Sequence, residues 1–90
     1  MRLDKFLKVS RLIKRRTLAK EVCEAGAVQV NRRPAKASTE VKPGDIITLT
    51  LGPRWLILEV LATPDHVPAE RARELYRILE EGRVTSNFQA

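Results

Sequence analysis

Ninety residues with 43% hydrophobic content make one small domain with a modest core and argue against wholesale disorder. The +6 charge is concentrated: residues 1–42 hold twelve of the seventeen Lys/Arg against four Asp/Glu, whereas residues 43–90 are mildly acidic. That asymmetry points to a polyanion on one face. Short apolar runs argue against a membrane span, and a lone Cys23 excludes an intramolecular disulfide. With no visible signal peptide, the cytoplasm is the expected compartment.

Residues 2–9 place Leu3, Phe6 and Leu7 on one helical face, with Asp4 and Lys8 as an i,i+4 pair of opposite sign. Ser10 loosens or ends this turn, and Leu12 and Ile13 re-enter the core. A second helix is expected from Arg15 to Ala25, with Leu18, Ala19, Val22 and Cys23 as its apolar stripe and Gly26 as the left-handed stop. Val28 and Val30 alternate as a strand, Asn31-Arg32 turns, and residues 35–39 are the expected return strand. Pro43-Gly44-Asp45 is a strong turn signal before strands at Ile46–Leu51 and Trp55–Val60, joined by Gly52-Pro53. Pro68 suits the first turn of a third helix, with Ala72, Leu75, Tyr76 and Leu79 as its apolar face and Gly82 as its stop. The expected class is α+β: two N-terminal helices on a small, mainly antiparallel sheet. The expected divisions are 1–62 for the domain with its sheet, 63–82 for a C-terminal helix, and 83–90 for a flexible tail.

Four separate pieces then appear in a telling order: Arg2-Leu3-Asp4-Lys5-Phe6-Leu7, Arg16 with Ala19, Gly26-Ala27-Val28-Gln29-Val30-Asn31, and Val41-Lys42-Pro43-Gly44-Asp45. Together they resemble the S-four-type (alpha-L) RNA-binding domain. The run from Met1 to Val22 is similar in particular to the stand-alone bacterial RqcP family of ribosome-associated quality control. The heat-shock protein fifteen family is a more distant relative. The resemblance implies binding to the large ribosomal subunit after a stalled ribosome has split. It implies contact with large-subunit rRNA and P-site tRNA, and support for a partner factor that adds an untemplated C-terminal tail to the nascent chain. Two positions depart from the family pattern: Asn31-Arg32 stands where Asn-Gly is common, and Arg15 where a Ser is common. Both departures add positive charge.

The residues themselves support an RNA face. Arg2, Lys5, Lys8, Arg11, Lys14, Arg15, Arg16 and Lys20 place eight cations against one acid between residues 2 and 20. A solvated helical surface normally mixes signs, and eight such charges repel one another unless an anion comes near. Arg2 and Arg16 match the family's most characteristic basic positions, and Arg32, Arg33 and Lys36 extend the set. Phe6 is the only aromatic residue in the basic half and its spacing makes it core, so the face lacks a stacking platform. Folded RNA read through its phosphates is the expected ligand.

Trp55 fits a half-buried strand, His66 a surface loop, Cys23 the core, and Asp45 a turn whose amides it satisfies. No metal-ligand spacing, phosphate-cradling Gly loop or nucleophile motif is present. A non-enzyme without metal or cofactor is expected, working as a monomer away from membranes. The competing readings are a heat-shock-type ribosome or tRNA recycling factor and an accessory RNA-binding subunit of an RNA-modifying enzyme.

Overall fold

The computed structural model describes residues 1–84. Helix α1 (Leu3–Val9) and helix α2 (Arg16–Glu24) lie on one face of a five-stranded antiparallel sheet. Its strands are β1 (Val28–Val30), β2 (Arg33–Pro34), β3 (Ile46–Leu51), β4 (Arg54–Val60) and β5 (Tyr76–Arg83), in the order β2-β1-β3-β4-β5. Leu3, Phe6 and Leu7 of α1 and Ala19 and Cys23 of α2 meet Val28, Ile47, Leu49, Leu58 and Val60 of the sheet in one buried cluster.

Both helices end on left-handed residues, by different means. After α2, the Gly26 amide donates to the Cys23 carbonyl and the Ala27 amide to the Val22 carbonyl, with Gly26 at φ 80°. This is the double hydrogen bond of a Schellman stop. After α1, the left-handed position is taken by Arg11 at φ 62°, where glycine is favoured. The Ser10 hydroxyl donates to the Leu7 carbonyl at 3.3 Å and closes the turn from inside the core.

Asn31 and Arg32 both sit at positive φ, 53° and 68°, giving a two-residue hairpin turn of the primed kind. The turn stays tight despite lacking glycine because Asn31 is held from three sides. Its side-chain amide donates to Asp45 Oδ1 at 3.2 Å, its Oδ1 accepts from the Ile46 amide at 3.0 Å, and its own amide donates to the Ile46 carbonyl at 2.7 Å. Asp45 Oδ2 also accepts from the Lys42 amide at 2.9 Å, so the carboxylate serves the turn, as expected. Gly44, at φ 97°, completes the Pro-Gly turn that launches β3.

Three expectations give way to other structure. First, the return strand is Arg33–Pro34, earlier than residues 35–39. The later segment caps a helix instead. The Ala37 and Thr39 carbonyls accept from the Asp4 and Leu3 amides, satisfying donors at the start of α1 that no side chain caps. Second, Leu18 of the expected apolar stripe is 47% exposed, and the buried positions of α2 are Ala19 and Cys23.

Third, no C-terminal helix spans 63–82. A 3₁₀ segment (Ala69–Leu75) buries Ala72 and Leu75, and the chain then extends as β5 along β4. The helical spacing of Leu75, Tyr76 and Leu79 loses to the open edge of β4, whose backbone groups β5 satisfies. Gly82, the expected helix stop, lies opposite Trp55, whose half-buried indole occupies the space a Cβ would need. Ion pairs Arg77–Glu59 (2.6 Å) and Arg54–Glu81 (3.3 Å) cross between the two strands. Arg83 ends β5, and the rest of the expected tail, residues 85–90, lies outside the described residues.

Candidate nucleic-acid interface

The expected surface pair Asp4–Lys8 does not form. Asp4 is instead buried, with a side chain only 4% exposed, and it turns toward Arg2 and Arg16. Arg2 reaches it through Nε at 3.2 Å to Oδ1 and through Nη2 at 3.3 Å to Oδ2. Arg16 Nη2, from the first position of α2, lies 3.3 Å from the same Oδ1. The Lys5 amide donates to that oxygen as well, at 2.8 Å. Burial alone would raise the Asp4 pKa. The hydrogen bonds from Arg2 and Arg16, the charge of Arg16 and the Lys5 amide outweigh it and hold the carboxyl below its ordinary value.

The consequence is geometric. Two guanidinium groups from two helices are held side by side, each about half exposed and each with donors left for another anion. Packing fixes the spacing. The segment that caps α1 also carries Lys36, so Arg2, Lys20 and Lys36 line one groove beside this pair, together with Cys23, Gly26 and Ala37. Arg15, in the cap position of α2, makes no side-chain cap to the helix amides beside these cations.

The other expected residues are distributed around this centre. Lys14 and Arg15 are exposed on the link between the helices. Lys8 and Arg11 share a small recess with His66 at the far end of α1. Lys5 is paired with the exposed Asp65 at 3.0 Å, and the Lys5 hydrogen bond lowers the Asp65 pKa. That pair partly neutralises Lys5 and adds little stability. Arg32 stands apart: it lines a recess with Thr48, Ile57 and Leu79 on the sheet face opposite the helices. Arg33 follows it on β2.

The sequence reading missed Asp4 as the organiser of the site. The available signal was its isolation, one acid among eight cations. Cys23 is buried, as expected. Burial, helped by the charges of Asp4 and Glu24, pushes its thiol up to about 11, so it stays protonated at neutral pH. No described helix is long and apolar enough to cross a membrane.

Two short helices with clustered Arg and Lys on a small antiparallel sheet, without an exposed aromatic on the helical face among the described residues, define the class of small RNA-binding domains. The S4 domain family model matches residues 1–47. The chain is 51% identical over 84 residues to the RQC P-site tRNA stabilizing factor of Bacillus subtilis, covering 93% of this chain and 98% of that one. It is 49% identical over 87 residues to the protein of that name in Halalkalibacterium halodurans, covering 97% and 99%. The solved Heat Shock Protein 15 of Vibrio cholerae superposes with a TM-score of 0.81 at 37% identity, over 87% of this chain and 80% of that one. The chain belongs to the S4-domain proteins, within the family of the RQC P-site tRNA stabilizing factors.

Proposed function

We propose that this protein binds the large ribosomal subunit carrying an obstructed P-site peptidyl-tRNA and supports C-terminal tailing of the stalled nascent chain. The helical face contacts large-subunit rRNA and the P-site tRNA, and a separate tailing factor works beside it. The protein acts as a monomer and as a binding module rather than an enzyme. The observation that carries this reading is the buried Asp4, which holds Arg2 and Arg16 at fixed positions beside Lys20 and Lys36. Arg11, Lys14 and Arg15 continue the face, and Lys5 and Lys8 lie along α1. Relatives near half identity over nearly the whole chain bear the name RQC P-site tRNA stabilizing factor, which favours this reading over a generic heat-shock-type recycling factor.

Co-sedimentation with purified large subunits tests it. Arg2→Ala and Arg16→Ala each weaken association, and together nearly abolish it, with circular dichroism confirming the fold. A folded double variant that sediments at wild-type level refutes the assignment of the face. If roughly six phosphates are neutralised, affinity falls about a thousandfold between about 50 and 200 mM salt.

A further inference from the structure

A second cationic surface lies partly beyond the S4 match. At the C-terminal end of α1, a groove of about 520 Å³ opens between the α1–α2 link, the β3–β4 hairpin and β5. Three guanidinium groups line it: Arg11 from the link, Arg54 from the start of β4, and Arg73 from the 3₁₀ segment. Its one acid among the described residues, Glu81, is already 3.3 Å from Arg54. Among the described residues, Arg11 and Arg73 have no carboxylate partner. The half-buried Tyr76 and the exposed Ile78 form part of the wall.

We propose that this groove is a second RNA-contact site, which takes the phosphate backbone of an RNA segment running on from the α1–α2 face. The proposal rests on the RNA-binding reading above and extends its footprint to residues outside 1–47. Three features favour RNA over an acidic peptide. All three cations are arginines, whose planar fork engages phosphate through paired hydrogen bonds. The groove is continuous with the RNA face, because Arg11 also lines the recess that holds Lys8. A polyanion long enough to pass Arg11 meets cations on both sides of it. And Arg11 holds a left-handed position that glycine would occupy without strain, so the positive side chain is kept where local backbone preference opposes it.

The test measures the salt dependence of binding to deacylated tRNA by anisotropy and to purified large subunits by co-sedimentation. The variants are Arg54→Gln/Arg73→Gln, Glu81→Gln and Arg2→Ala/Arg16→Ala, with melting temperature as the folding control. Loss of two phosphate contacts lowers the log–log salt slope by about 1.4–1.8. Between about 50 and 200 mM salt the wild type therefore loses about tenfold more affinity than Arg54→Gln/Arg73→Gln does. Glu81→Gln, which removes the acid and keeps every arginine, binds more tightly than wild type. It also preserves the test if the double variant folds poorly. If the groove variants match wild type in affinity and slope while Arg2→Ala/Arg16→Ala loses binding, the groove is not an RNA site and the RNA face stands. If neither pair of arginines matters, the underlying reading falls and the groove with it.

Discussion

Asp4→Asn separates two views of the RNA face because they predict opposite signs. On a simple charge count, removing the only acid between residues 2 and 20 strengthens binding to a polyanion. The relieved repulsion is damped, because the carboxylate is already paired with two guanidinium groups and salt screens what remains. On the structural view, Asp4 sets the positions of Arg2 and Arg16, and the loss outweighs that gain. Asn keeps the shape of the side chain but not the charge that draws both guanidinium groups inward. Two freed arginines must then be ordered on binding, at about 0.5–1.5 kcal/mol each. The net expectation is about 1–2 kcal/mol of lost affinity, or roughly 5- to 30-fold. Stability falls as well. Hydrogen bonds to a charged group contribute about 1.5–3 kcal/mol when buried, and the half-exposed arginines can rehydrate, so about 1–2 kcal/mol is expected. For a domain of this size that is a drop in Tm of roughly 4–16 °C. The assay is anisotropy with labelled tRNA, at a temperature where the variant is fully folded. A folded Asp4→Asn protein that binds as tightly as wild type, or more tightly, refutes the claim that a buried carboxylate organises the face.

The remaining predictions concern the parts around it. Phe6→Ala removes a fully buried side chain and should cost about 3–5 kcal/mol in thermal or denaturant unfolding, enough to unfold much of so small a domain. Arg32→Gly relieves a left-handed arginine at φ 68° and should raise stability by about 0.5–1 kcal/mol, read as a higher Tm. Gly82→Ala would place a Cβ 2.6 Å from Trp55 Cζ2, so the indole must lift off β5. A red shift of the single tryptophan's emission and about 1–3 kcal/mol of destabilisation should follow. The Asp4 carboxyl is held below its ordinary 3.8, so its stabilisation is complete above that value and drains as pH falls through the lower folded value. Asp4→Asn lacks this contribution, and its Tm should therefore fall less steeply than wild type below pH 3.8.

What was legible in the chain was what local chemistry decides. Leu3, Phe6 and Leu7 recur at helical spacing and are all fully buried in α1. Gly26 and Gly44 mark turns that need positive φ, and both have it. Ile46–Leu51 reads as a strand because it alternates and is bounded by turn residues. The failures are decisions made at a distance. Whether residues 76–83 become helix or strand depends on the unpaired edge of β4, which no window around Leu79 contains. Asp4 pairs with Arg2 beside it and with Arg16, twelve positions away on another helix, rather than with Lys8 one turn along its own. Lys5 finds Asp65, sixty positions on. Arg11, Arg54 and Arg73 are far apart in sequence and converge only because the β3–β4 hairpin and the 3₁₀ segment fold back to the end of α1.

Three features of this fold place or hold positive charge, and two of them work against its own stability. A carboxylate is buried between two arginines, whose hydrogen bonds and charge more than offset its desolvation. Arg11 stands at the end of α1 and Arg32 in the tight turn, both in conformations that glycine adopts without strain. A sequence shaped by stability alone would place glycine at both turns and spread its cations. Local rules are broken in this way where function requires it, and the cost is carried by consistent structure elsewhere. Here that structure is the Asn31–Asp45 lock, the Ser10 closure of α1 and the continuous core beneath both helices. On the proposed function, the strained arginines and the buried acid share one cause: a ligand whose negative charges lie at fixed positions, which a folded RNA provides and diffuse counter-ions do not.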